Sequence, residues 1–379
     1  MRAARETDPE RSALEARILE FIGEPDWRRD EARFDRLARH LFALQYARCD
    51  AYARFARARG VTPGGVGTWR EIPAVPTGAF KEMPLCCFPR AETCKTFRTS
   101  GTSGQRRGEL HLDTLALYEA SLLPTLDHLL FPDLAPAQPR LIRVLAPPAD
   151  EAPDSSLSHM FEVLVRERGA PGSGFDVKED RLDVSALVAA IRMAAKRREP
   201  VALCGTAFAF VHLLDDLAAS HAKLECPPGS RIMETGGFKG SGREMPREAL
   251  HAALSQRLGI PEARIVNQYG MTELGSQFYD SVQIDPHGPR RKLGPPWARV
   301  RLIDPETGLE CREGEVGMLV IHDLANTGSV AAIQTADLGR RVVSPSGGPA
   351  GFEILGREPG AEARGCSIAA DEMLAGDPP

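Results

Sequence analysis

No stretch of this chain approaches the ~20 consecutive apolar residues needed to span a bilayer. Its first residues, MRAARETDPERSALEARILEF, are charged and lack the apolar core of a secretory signal, so the protein is expected in the cytoplasm. Basic charge is not in excess either. The chain has 47 Lys and Arg against 52 Asp and Glu, for a net charge of −5 and a pI near 6.0, and no global field favours nucleic acid. The cluster Lys196-Arg197-Arg198 closes a helical pattern, where cations suit the helix dipole. The eight cysteines include no CxxC pair and no His at zinc-finger distance, which removes a structural zinc site of that kind. They are expected to be mostly reduced, buried and inert. No long-range repeat is present.

What remains is an ordinary globular composition, 42% hydrophobic and 26% charged, in a chain long enough for two or three structural units or one large α/β body with a small lobe. Residues from Ser12 to Arg59 read as helical, with Phe34, Leu37, Leu41, Leu44 and Ala51 on one apolar stripe. WREIPAVPTGAFKEMPL is proline-rich and reads as extended. From PRLIRVLAPP to ARIVNQ, buried apolar runs alternate with helical patterns. That alternation predicts a mostly parallel sheet covered by helices. After Gly294, short alternating runs split by DPETG and REGEVG predict an antiparallel β region. The last dozen residues carry little core-forming signal and are expected to fray.

Five segments have the composition of a ligand site. TSGTSG, from Thr99 to Gly104, has no GK[ST] ending and is not an ordinary P-loop. Its glycines still allow close backbone approach, and its hydroxyls and N–H groups can wrap an anion; a loop this short is equally a plain surface turn. NQYGMTEL runs from a strand into Tyr269, Thr272 and Glu273: a ring that can stack on a base, a hydroxyl for phosphate and a carboxylate for magnesium. METGGFKGSGRE is glycine-rich after a strand. QTADLGR carries Asp337, which can grip ribose hydroxyls or simply cap a turn. GFEILGREPGAEARGCS carries Arg357, Arg364 and Cys366.

The order of these segments resembles the adenylate-forming superfamily, and within it the LuxE-type acyl-protein synthetases, related to phenylacetate-CoA ligase. IPAVPTGAFK, TSGTSG, GGFKG before YGMTELGS, and RGCS carry the likeness, from Ile72 to Ser367. The resemblance implies a large α/β domain of parallel sheets with a small β region and a truncated C-terminal lobe. It divides the chain into a helical, Pro-rich lead-in (1–95), a nucleotide- and acyl-binding core (96–294), a β-rich subdomain (295–357) and a tail (358–379). It implies that Ser100, Gly101, Thr102, Ser103 and Gly104 cradle ATP phosphates, and that Gly236 and Gly237 flank adenine with Tyr269 against the ring. Thr272 and Glu273 meet phosphate and Mg2+, with Glu273 the metal ligand. Asp337 holds the ribose, and Arg357 supports ribose or phosphate.

The implied reaction is ATP-dependent conversion of a carboxylic acid, fatty in the implied case, to acyl-AMP. The acyl group then passes to Cys366 as a thioester for delivery to an acyl-reductase partner. The acyl site is placed at His159, Ala207 and Phe208, although a lone His is more often structural. The superfamily's C-terminal lysine is absent, so Lys239 or Arg364 is the candidate for its charge. Arg106 and Arg107 stand where relatives often place a lysine. Two other readings stay open: an aryl- or acyl-CoA (or carrier-protein) ligase, and an inactive paralogue serving as a subunit of a reductase complex.

Overall fold

The computed structural model describes residues 8–100, 106–179, 181–220, 224–236, 245–357 and 373. The Asp8 carboxylate caps α1 (Pro9–Ile22), and a proline takes the first turn, where a missing N–H costs nothing. The helical pattern from Ser12 to Arg59 resolves into three helices: α1, α2 (Glu31–Arg48) and α3 (Asp50–Ala58). The first break falls around Trp27, whose φ of 49° is left-handed and cannot continue a helix. The second is the extended Cys49. Phe34, Leu37, Leu41 and Leu44 are buried, as the stripe requires, and Ala51 is half-buried on the next helix.

The chain continues as β1 (Val75–Pro76), α4 (Ala79–Glu82), β2 (Lys95–Arg98), β3 (Glu109–Leu112), α5 (Ala116–Leu129), β4 (Leu141–Leu145) and α6 (Ser156–Arg168). Next come β5 (Gly174–Phe175), the small hairpin β6 (Val177–Lys178) and β7 (Arg181–Leu182), α7 (Val184–Arg197), β8 (Val201–Thr206), α8 (Ala207–Ala219), β9 (Arg231–Thr235), α9 (Arg247–Leu258) and β10 (Ile265–Tyr269). The last part is all strand: β11 (Phe278–Asp280), β12 (Lys292–Leu293), β13 (Ala298–Ile303), β14 (Val316–Asp323), β15 (Ala332–Val342) and β16 (Gly351–Arg357). The Pro-rich lead-in forms a strand at β1, which pairs parallel with β15, and is extended at Ile72 and Met83; Ala79–Glu82 departs from the expectation by making one helical turn.

Among the described residues, one continuous sheet runs in the order β13-β14-β15-β16-β12-β11-β10-β9-β8-β4-β5. The strands from β5 to β10 pair in parallel, and those from β10 through β16 to β13 pair antiparallel. Alternate residues of the parallel strands enter opposite cores, because side chains change face at each step. Leu141, Leu203, Ile232 and Ile265 pack with α7, α8 and α9. Ile142, Cys204, Met233 and Val266 pack on the other side with α5, α6 and the N-terminal helices. Both faces are covered, which is why these strands carry apolar side chains on both faces. Among the described residues no helix is long and apolar enough to cross a membrane.

One expectation fails at the C-terminus. Met373 is fully buried in the larger core, and the Arg54 guanidinium donates to its carbonyl, so part of the last dozen residues is packed rather than frayed.

His322 on β14 gives the fold an acid-sensitive point. It is buried edge-on to Trp69, with ring centroids 4.8 Å apart. Burial, then the nearby Arg301 and Arg70, push its pKa from 6.5 down to about 3. The unfolded chain therefore takes up a proton below about pH 6.5 that the native state refuses. Stability is complete above that pH and falls by up to about 1.4 kcal/mol per pH unit as the pH drops towards the folded value. His322→Phe keeps a ring against Trp69 and removes the proton site. Urea unfolding between pH 6.5 and 4.5 should show a shallower loss of stability in the variant, by up to one proton; parallel slopes would contradict this assignment.

Candidate active site

The parallel strands end together. Leu145 pairs with Gly205, Thr206 with Thr235, and Thr235 with Gln268, so β4, β8, β9 and β10 deliver their C-terminal residues to one edge. Beyond the carboxyl ends of such strands lies the usual ligand crevice of an open α/β sheet. Gly205 permits the close approach of β8 to β4: a Cβ there would sit 2.7 Å from that of Leu145. Gly236 leaves β9 at φ +82°, a left-handed conformation that favours glycine, with nothing within 4 Å of where a Cβ would be. The backbone beside that edge is open to a ligand.

Three sequence-predicted residues meet at this end of the sheet. The Tyr269 hydroxyl donates to Asp337 Oδ2 at 2.8 Å, and Arg357 Nε donates to Asp337 Oδ1 at 3.2 Å. Three strands thus converge on one carboxylate: β10, β15 and β16. Their register places Asp337 opposite Arg357. The Tyr269 ring lies 6.1 Å from both Phe278 and Phe352. Burial, then the Asp337 carboxylate, raise the Tyr269 phenol well above its ordinary pKa, so it remains a donor at any physiological pH. Thr335 was not singled out in the sequence, yet its hydroxyl accepts the Asp337 N–H at 3.0 Å within β15. The TxD spacing was its only signal.

The remaining ATP-site candidates approach from two loops. The Thr272 hydroxyl donates to the carbonyl of Arg98 at 3.3 Å, tying the segment after β10 to the end of β2. Glu273 is buried, and its carbonyl accepts from Asn326 Nδ2 at 3.0 Å. Strands β2 and β3 pair antiparallel as the stems of the TSGTSG loop. Thr99 and Gly108 close its base: the Gly108 N–H donates to Thr99 Oγ1, and Arg107 Nε donates to the Thr99 carbonyl at 2.6 Å. Ser100 is exposed at the loop mouth. Gly101, Thr102, Ser103, Gly104, Gly237, Lys239, Arg364 and Cys366 lie outside the described residues.

The proposed acyl residues sit around the same edge in two settings. Ala207 and Phe208 open α8 directly after β8, and the Thr206 hydroxyl caps that helix by accepting from the Ala209 N–H. Ala207 is buried in the core under α7–α9. Phe208 is half-buried, edge-on to His212 at 4.3 Å. His159, on α6 after β4, is buried among Phe97 and Tyr118, and its Nε2 lies 2.9 Å from Glu119 Oε1. Burial lowers its pKa, partly offset by Glu119. One of its nitrogens is thus already committed to a carboxylate.

Beneath the crevice lies a buried polar network that leaves little trace in the residue pattern. Lys292 Nζ on β12 donates to the Asn267 carbonyl at 2.8 Å, to the Asn267 side-chain oxygen and to Asp280 Oδ1 at 2.7 Å. Asp280 Oδ2 in turn accepts the Asn267 N–H. Burial alone would push the Asp280 carboxyl up; Lys292 and Arg290 overcome that and hold it below its usual value. Asn267 also donates to the carbonyl of Glu234, whose carboxylate meets His251 at 3.0 Å.

Residues 26–375 match the family described as acyl-protein synthetase, LuxE. The chain is 25% identical over 366 residues to the long-chain-fatty-acid–luciferin-component ligase of Aliivibrio fischeri, covering 94% of this chain and 93% of that protein. The Vibrio harveyi protein of the same name is 24% identical over 333 residues, covering 85% and 83%. In fold the chain is similar to 2-hydroxyisobutyryl-CoA ligase in an open conformation with 2-HIB-AMP and CoA. That likeness has a TM-score of 0.60 at 14% identity and covers 86% of this chain and 75% of that one. With the family match spanning nearly the whole sequence and the fold of an acid–CoA ligase beneath it, the chain belongs to the LuxE acyl-protein synthetase family.

Proposed function

We propose that this protein activates a carboxylic acid with ATP and passes the acyl group to a thiol, with Cys366 as the acceptor. The carrying observation is the convergence of Tyr269 and Arg357 on the Asp337 carboxylate, at the edge where Gly236 exposes backbone and Thr272 reaches the stem of the TSGTSG loop. A long-chain fatty acid is the substrate class, since both relatives are named long-chain-fatty-acid ligases. Delivery to an acyl-reductase partner is the step that follows.

The chemistry solves a problem of charge. A carboxylate repels nucleophiles and has no good leaving group. Its oxygen attacks the α-phosphorus of ATP, the bond from that phosphorus to the bridging oxygen breaks, and pyrophosphate departs. The thiolate then attacks the acyl carbon, and AMP leaves. The protein's part is positioning and stabilisation of charge. Asp337, held between a phenol and a guanidinium, is preset to accept from ribose hydroxyls. Tyr269 offers its ring to adenine, with Gly236 and Gly237 beside it. The hydroxyls and N–H groups of Ser100 to Gly104 receive the phosphates, together with Thr272. Glu273 would hold Mg2+, which is commonly bound by one or two carboxylates plus substrate phosphates and would neutralise phosphate charge. A lone carboxylate fits that donor set. Among the described residues no three His, Cys, Asp or Glu side chains gather as a protein-only metal cage.

In sequence, Cys366 follows Arg357 by nine residues and precedes Met373 by seven.

Pyrophosphate exchange with magnesium-ATP across a panel of carboxylic acids tests the first half-reaction. Exchange should depend on the acid and be strongest with long chains; no exchange with any acid would refute the proposal. Asp337→Ala should raise the apparent KM for ATP about 10- to 100-fold, the worth of losing a charged hydrogen bond. An unchanged KM would remove Asp337 from the ribose site. Cys366→Ser should abolish covalent labelling by radiolabelled acid and ATP at neutral hydroxylamine-sensitive sites, while exchange persists. Labelling that survives, or thioester formation that instead needs coenzyme A, would assign the acceptor elsewhere.

A further inference from the structure

The loop that carries Thr272 and Glu273 is gripped by residues at the far end of the sheet. Four strands separate β14 from β10 in sheet order, so the contact is made by the loop after β10 and not by strand pairing. Asp323, the last residue of β14, is fully buried. The donors that reach its carboxylate carry no formal charge. The Gly275 N–H donates to Oδ2 at 2.8 Å; the Ser276 hydroxyl and the Ala325 N–H donate to Oδ1 at 2.7 and 3.0 Å. Burial pushes this carboxyl above its usual pKa, opposed first by the Ser276 hydroxyl. A buried carboxylate is costly unless its hydrogen bonds are made. Two of these three donors belong to the loop, so carboxylate and loop hold each other in one arrangement.

A second set of contacts takes the loop from its other side. Asn326 Nδ2 donates to the carbonyls of Glu273 and Val330, each at 3.0 Å. The Asn326 carbonyl in turn accepts from Gln45 Nε2 of α2 at 2.8 Å, which fixes the asparagine itself. Ser121 of α5 donates to the Gly275 carbonyl. The fit leaves no slack: a Cβ on Gly275 would lie 3.0 Å from the Ala325 Cβ. The backbone at Glu273 and on its C-terminal side is thus fixed by buried side chains that have no part in the site described above.

We propose that Asp323 and Asn326 are positioning residues for the reaction. They set the backbone from Glu273 to Ser276, and through it the place of the Glu273 carboxylate and the Thr272 hydroxyl relative to the incoming triphosphate and its cation. The assignment rests on the adenylation chemistry proposed above. Neither residue has to touch ATP, because a displacement of about 1 Å in a positioned group can cost about 100-fold in rate.

Asp323→Asn keeps the side chain's shape and exchanges one acceptor for a donor. Whichever oxygen is replaced, an N–H faces it: Gly275 at Oδ2 or Ala325 at Oδ1. Pyrophosphate exchange at saturating substrates should fall about 10- to 100-fold. The KM for magnesium-ATP should stay within about threefold, because Tyr269, Asp337 and Arg357 lie on strands outside the loop. In a Glu273→Gln background the same substitution should cost less than about threefold, since both changes act through one loop. A full, additive cost there marks general damage and overturns the proposal. Ser276→Ala removes one hydroxyl only and should show the same split in smaller measure; it carries the test if Asp323→Asn does not fold. His322→Phe, on the preceding residue and the opposite face of β14, should leave saturated exchange unchanged, and an equal loss from it counts against the assignment. Hydrogen–deuterium exchange gives a readout apart from activity: the Gly275 and Ser276 amides should lose protection in Asp323→Asn, and wild-type protection there overturns the proposal. The two readings fail differently. Wild-type protein that exchanges no pyrophosphate with any acid refutes the adenylation chemistry and this inference with it; normal exchange in both wild type and Asp323→Asn refutes the positioning alone.

Discussion

A single buried ammonium holds the sheet together where its strands change direction. Strand β10 pairs parallel with β9 and antiparallel with β11, and Lys292 reaches from β12 into that junction to bind Asn267 and Asp280. Backbone pairing does not by itself determine which strand follows β10 into the antiparallel half. The ion pair does: Asp280 and Lys292 are cross-strand partners, and Asn267 faces Glu234 on the other side. Removing one member of such a pair leaves an uncompensated buried charge, typically a loss of about 3–5 kcal/mol. The consequence for function is positional. Tyr269 lies two residues beyond Asn267 on the same strand, and its hydroxyl donates to Asp337.

Much of this was legible in order and alternation. Strands β4, β8, β9 and β10 are short, apolar on both faces and separated by helical patterns, and that is sufficient to specify a parallel block. Gly259 ends α9 at φ +68°, as a glycine just past a helix should. The junction itself was not legible. Arg290-Arg291-Lys292 has the look of a solvated basic cluster, yet Arg291 and Lys292 are almost wholly buried, each against an aspartate from another turn or strand. Nothing local distinguishes such a run from a surface one, because its partners are set by tertiary pairing. The same holds for Met373, which lies in a stretch with little core-forming signal and whose carbonyl accepts from Arg54 of α3. The break at Trp27 was hidden for another reason: its stacking on His128 and its edge-on contact with Trp297 support a backbone conformation that composition would never suggest.

At the crevice the sequence supplied the residue types and the fold supplied their pairing. Asp337 alone reads as a turn residue, and Tyr269 alone as a core aromatic. Only the register of β15 with β16 sets Arg357 across from Asp337, and only the sheet order brings β10 to the same place. His159 illustrates the opposite case. It is the sort of isolated histidine that invites a catalytic role, and the structure gives it a carboxylate partner and two aromatic neighbours.

Acid activation brings a carboxylate to a polyphosphate, and a protein of net negative charge must create a local field of the other sign. This fold does so with cations that are themselves held by carboxylates: Arg357 by Asp337, Arg98 by Glu109, Arg107 by Asp154. Bare guanidinium groups crowded on one hairpin would repel one another and splay it. Pairing each one stabilises the stems before any ligand arrives, and leaves unused N–H donors, since a guanidinium has five and a carboxylate occupies two at most. Phosphate oxygens can then bind without displacing the pairs. The arrangement separates stability from reactivity. The pairs keep the hairpin and the strand ends in place.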